Sequence, residues 1–116
     1  MTEIANLLSD VNDNDRAVFI LALKEFPKAA KQYTQTQSAA SLNKKMAKSA
    51  INKIEVRARR FSADEIRVLN IALILLEDKI DTAEANGFSD KMNNQIRTTI
   101  DKFLPSLDEF VSSLLD

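Results

Sequence analysis

The chain of 116 residues has no cysteine, no histidine and no tryptophan, and it has one glycine and two prolines. Without cysteine there can be no disulfide, no thiolate ligand for zinc and no thiol nucleophile. Without histidine no side chain titrates near neutrality unless it is strongly perturbed, so His-based acid–base chemistry and triads are excluded. A single glycine cannot build a phosphate-cradling loop. It also leaves few positions for the positive φ that tight turns demand, and a β-rich fold would want many. Helices need few turn residues, so the shortage points to an all-α protein. Long apolar runs are missing too: IALILL at 71–76 is far short of the roughly 20 residues that span a bilayer. The start, MTEIANLLSDVND, has neither the basic nor the apolar region of a signal peptide. These absences lead to the expectation of a soluble, cytoplasmic protein, and the acidic polar face of the last helix, with Asp108, Glu109 and Asp116, to that of no membrane binding.

What is present is balanced. Apolar residues make up 45% and charged residues 28%, with net charge −1, which suits one folded domain over 1–116 with a single core. No internal repeat or low-complexity tract divides it.

Helical spacing recurs along the chain and predicts a bundle of five to six helices. Thr2 can cap a short first helix carrying Ile4, Leu7, Leu8 and Val11. VNDND at 11–15 supplies a turn and an N-cap for a second helix from about Asp15 to Phe26, where Pro27 should kink or end it. After the polar TQTQS at 34–38, a long helix is expected over about 38–60. SADE at 62–65 reads as a capping box, with Phe61 placed for a hydrophobic staple against Ile66. A fourth helix then runs over about 62–86 to Gly87, a natural left-handed stop. Its residues 66–76 are apolar almost all round, which marks it as the most buried element. Met92, Ile96, Ile100 and Phe103 define a fifth helix; Pro105 should break it before a last short helix with Leu107, Phe110, Val111 and Leu114. The long antiparallel hairpin of about 38–60 and 62–86 is the expected spine.

The functional clue is charge. Residues 42–61 hold seven basic side chains, Lys44, Lys45, Lys48, Lys53, Arg57, Arg59 and Arg60, against one acid, Glu55. On a helical wheel Met46, Ala47, Ala50, Ile51, Ile54, Ala58 and Phe61 share one side, Lys44, Lys45, Lys48 and Arg59 the opposite side, and Lys53, Arg57 and Arg60 a flank. A basic back roughly 35 Å long could follow backbone phosphates, with binding that falls steeply with salt. The competing reading is internal pairing. The hairpin would bring Lys44, Lys45 and Lys48 beside Glu77, Asp78, Asp81 and Glu84, acids that oppose the dipole of the helix end they occupy. Surface pairs of that kind are individually weak.

Other chemistry is thin. Glu77, Asp81 and Glu84 share a helix face, but one helix supplies too few converging oxygens for a hard cation. No metal, cofactor or enzymatic activity is expected. Sequence-specific DNA reading is disfavoured because the helices are too long and the joint is wrong for a helix-turn-helix. Scattered aromatics give no platform for stacked single-stranded bases. Three readings follow. The first is a non-enzymatic binding or regulatory protein that sets the basic face of 38–60 on an anionic partner, either nucleic acid or nucleoprotein through phosphate contacts or an acidic protein surface. The second is a protein-binding inhibitor, immunity factor or adaptor; the size and helical character are similar to those of bacteriocin immunity proteins and small phage-encoded inhibitors. The third is a homo-oligomer joined through the terminal helix, with Leu107, Phe110 and Leu114 as anchors.

Overall fold

The computed structural model describes residues 2–3, 11–30, 36–58, 60–82 and 87–114. The chain is all-α in character, with four helices among the described residues: α1 (Asp13–Ala30), α2 (Gln37–Glu55), α3 (Ala63–Thr82) and α4 (Asp90–Leu114). Two short strands, β1 (Thr2–Glu3) and β2 (Arg60–Phe61), pair antiparallel, Thr2 opposite Phe61 and Glu3 opposite Arg60. No helix of the described residues is long and apolar enough to cross a membrane.

The helix count departs from the expected five to six at both ends. Thr2 lies in a strand, so it caps no first helix; residues 4–10, with Ile4, Leu7 and Leu8, lie outside the described residues. Pro105 does not break the chain, for α4 runs through it as one helix of 25 residues. Proline there removes the amide that would bond the Asp101 carbonyl. Both residues are exposed, so water can take up that carbonyl on the solvent face, while buried Phe103 and Leu107 hold the turns on either side to the core. Pro27 is likewise carried inside α1, which continues to Ala30.

Caps fix the other ends. Thr36 Oγ1 accepts the Ala39 amide and starts α2. α2 stops at Glu55, short of the expected 60, because the chain closes a Schellman turn there: the Ala58 amide reaches the Lys53 carbonyl at 2.8 Å and the Arg57 amide reaches Ile54 at 3.2 Å. That geometry puts Arg57 at φ 57°, left-handed without being glycine. α3 opens with the expected capping box, the Glu65 amide on Ser62 Oγ at 3.1 Å and the Ser62 amide on Glu65 Oε1 at 2.7 Å. Gly87 does take a left-handed φ of 85°. Ser89 caps α4 by accepting the Met92 amide.

α2 and α3 do not form a spine of their own. α1 packs against both more extensively than they pack against each other, and α1 and α3 each touch all three other helices. α3 nevertheless buries the most side chains, among them Ile66, Val68, Leu69, Ala72, Leu73, Leu76 and Ile80. It is not covered all round, since Ile71 and Ile74 face solvent. Phe19 of α1 meets Phe103 of α4 edge to face, centroids 5.3 Å apart. Phe61 and Ile66, the expected staple, both lie in this core.

Candidate nucleic-acid interface

The basic stretch divides into two parts. Residues 37–54 of α2 contain no acid, and the buried Ala47, Ala50 and Ile54 turn one side of the helix onto the core. The opposite side carries Ser41, Lys44, Lys45, Lys48 and Asn52, all exposed, and ends on the exposed acid Glu55. None of these three lysines enters an ion pair among the described residues. They form the candidate interface.

Lys53 belongs to the interior. Its Nζ lies 2.6 Å from Glu65 Oε1 and 5.7 Å from the centre of the Phe61 ring, a cation held over an aromatic face. Glu65, itself buried, also accepts from Ser49 Oγ at 2.6 Å. Burial alone would raise this carboxyl's pKa. The hydrogen bonds from Lys53, Ser49 and Ser62 outweigh that and hold it below the usual carboxylate range.

Arg57 sits past the end of α2 and pairs with Asp13 at 3.1 Å, both side chains largely exposed. Arg60 lies exposed on β2, and Arg59 falls outside the described residues. The three side chains expected to anchor an oligomer are placed differently from one another. Leu107 is fully buried, Phe110 is half-buried against the core, and the Leu114 side chain lies outside the described residues.

Among the described residues no acid of α3 pairs with Lys44, Lys45 or Lys48. Asp81 pairs with Arg97 of α4 at 2.6 Å, and the neighbouring Lys79 reaches Glu25 of α1 at 3.4 Å. Glu77 is half-buried, Asp78 has a partner of its own, and Glu84 falls outside the described residues. No group of three or more acids among the described residues converges as a metal site.

Further cations escaped the reading by sequence stretches. Lys24 and Lys28 on α1, like Lys91 on α4, are exposed and enter no ion pair among the described residues. The short 31–36 connection and the Asp13–Arg57 pair set α1 antiparallel to α2, which puts Lys24 at about the level of Lys45, near the middle of the helix pair. The signal lay in the helical spacing of 24 and 28.

A second buried carboxylate repeats the arrangement around Glu65. The Asp15 amide bonds Asn12 Oδ1 at 2.8 Å, and Asp15 Oδ2 accepts the Asn12 amide at 3.2 Å, a capping box for α1. Asp15 also accepts from Thr99 Oγ1 at 2.6 Å and Lys102 Nζ at 3.2 Å on α4. Here too desolvation would raise the pKa, but the bonds from Thr99, the Asn12 amide and Lys102 bring it below the ordinary value.

Between α1 and the first half of α4 runs a groove of about 510 Å³. Its apolar floor includes Val18, Leu21 and Ile96, with Met92 exposed beside them, and its rim carries Lys91 and neutral groups such as Asn14 and Gln95. No protein-family model, curated protein or solved structure matches the chain.

Proposed function

We propose that the protein is a small, non-enzymatic binding protein of the cytoplasm that lays α2 on an anionic polymer, placing Lys44, Lys45 and Lys48 against the backbone phosphates of nucleic acid. The observation that carries this reading is that these three lysines project from an exposed helix face whose one acid, Glu55, stands at its C-terminal end, and enter no ion pair among the described residues. Lysine meets phosphate as a flexible point charge and reads no base edge, so binding is indifferent to sequence. Three contacts release few counterions, giving a log–log salt slope near −2.7 and an affinity at the weak end of non-specific binding, on the order of 10⁻⁴ M at physiological salt. Net charge −1 means that the local face drives association, with no help from the rest of the molecule.

The test is fluorescence anisotropy of a short labelled duplex, titrated at 50 mM salt with the wild-type chain and with Lys44, Lys45 and Lys48 all changed to Glu. The reading predicts binding by the first and none by the second, with identical circular dichroism. Equal binding by both would overturn it.

The groove at Met92 favours a second reading, a protein partner docked through an apolar side chain, with Lys91 and neutral polar groups around it. Its signature is opposite: a complex that survives high salt, is lost on Met92→Lys, and is unaffected by the triple Glu change.

A further inference from the structure

The outer face of α3 carries Asp64, Arg67, Ile71, Ile74, Asp78 and Asp81, every one of them exposed. At 100° per residue they fall in one stripe along the helix, opposite the side that fills the core. Ile71 and Ile74 are 39% and 40% exposed. Isoleucine is not among the better helix formers, so local propensity does not explain a pair of them on a solvent face.

We propose that this face binds a second copy of the chain, with the two α3 helices antiparallel about a two-fold axis. The order of the stripe supplies the argument. Arg67 precedes the isoleucines by as many residues as Asp78 follows them. About a two-fold axis midway between positions 72 and 73, Ile71 therefore meets Ile74 of the second copy, and Arg67 meets Asp78 of the second copy. Parallel helices would set Arg67 on Arg67 and Asp78 on Asp78. Charge alone thus selects the antiparallel, self-complementary arrangement that closes at two copies.

Arg67 already pairs with Asp64, and Asp78 has a partner within its own chain. The cross-contacts extend existing networks, setting register more than strength. Farther out, Asp64 would approach Asp81 of the second copy, but Arg67 and Arg97 accompany those two acids. Four partly exposed isoleucines make a small contact beside a standard interface, so the dimer is weak, with a dissociation constant on the order of 10⁻⁴ M. The inference rests on α3 and is independent of what the lysines of α2 bind. It also moves self-association away from Leu107, which the core has taken up.

Sedimentation equilibrium from about 10 μM to 1 mM tests it. The weight-average mass should rise from 13.0 kDa towards twice that value across this range. Ile71→Asp with Ile74→Asp should hold the mass at the monomer value with unchanged circular dichroism. Arg67→Asp alone should weaken association at least tenfold, and Arg67→Asp with Asp78→Arg should restore it. The exchanged pair leaves the isoleucines in place, so it tests the register even if the aspartate variants fold poorly. A mass constant at 13.0 kDa to 1 mM would overturn the proposal. So would association that ignores the isoleucine changes, or a charge exchange that fails to restore it.

Discussion

Lys53 Nζ lies 2.6 Å from Glu65 Oε1, so one of the seven cations between 42 and 61 faces inward and fastens α2 to the first turn of α3. Glu65 serves two purposes at once. It completes the cap of its own helix at Ser62 and holds the neighbouring helix through Ser49 and Lys53. Asp15 does the same for α1 and α4 through Asn12, Thr99 and Lys102. In each case the third helical residue is the acid, buried where a hydroxyl and a lysine one turn apart on another helix can reach it.

Removing Lys53 should therefore cost stability and leave anion binding alone. Lys53→Met leaves a buried carboxylate held by hydroxyl and amide donors, at a cost of about 2 kcal/mol once the partial exposure of the lysine is discounted. The thermal midpoint should drop by roughly 8 °C while duplex affinity stays within twofold of wild type. A large loss of affinity without loss of stability would place Lys53 on the interface instead.

Acid should unfold the protein through the same two carboxylates. Both ionise more readily folded than unfolded. Their stabilisation is then complete above the unfolded carboxylate range, about pH 4, and disappears as pH falls through the lower folded values. Urea midpoints measured from pH 7 to 2.5 should stay level to about pH 5 and then decline. In Asp15→Asn with Glu65→Gln the midpoint should be lower at pH 7 and the acid decline shallower. An equally steep decline in that variant would assign acid unfolding to other groups.

Arg57 holds a left-handed φ that costs a non-glycine residue about 1 kcal/mol, and its ion pair with Asp13 is too exposed to offset it. Arg57→Gly should raise the chemical unfolding midpoint. A fall would mean that the Asp13 contact, or the rigidity of arginine in the unfolded chain, outweighs the strain.

Asn70 is buried between α3 and α4, its Nδ2 donating to Asp108 at 3.0 Å and its Oδ1 without a partner. An orphaned buried carbonyl costs about 1–3 kcal/mol, more than a bond to the exposed Asp108 returns. Asn70→Leu should thus be neutral or stabilising in thermal melts; a loss above about 1 kcal/mol would contradict that balance.

Much of this fold is legible in the chain because the signals are local. The Ser62–Glu65 box, the left-handed Gly87 and the apolar side of α2 each depend on residues within a few turns. What was not legible depends on distant partners or on solvent. VNDND announces a cap, but which acid goes inside is decided by Thr99, 84 residues away. The end of α2 carries no glycine to announce it, because Arg57 takes the glycine's place. Pro105 reads as a break, yet its lost bond faces water and costs the helix little continuity. Within the basic stretch, Lys48 and Lys53 are equal in composition; about 140° of helical rotation puts one in solvent and the other on Glu65.

The salt dependence of duplex binding tests the central claim most directly. Anisotropy titrations between 50 and 200 mM salt should give a log–log slope near −2.7 for the wild-type chain. Changing Lys44, Lys45 and Lys48 to Gln, which removes their charge without reversing it, should bring the slope close to zero, whereas Lys53→Met should leave it unchanged. No binding at 50 mM, or a triple Gln variant that keeps the wild-type slope, would contradict the assignment of phosphate contact to these three lysines.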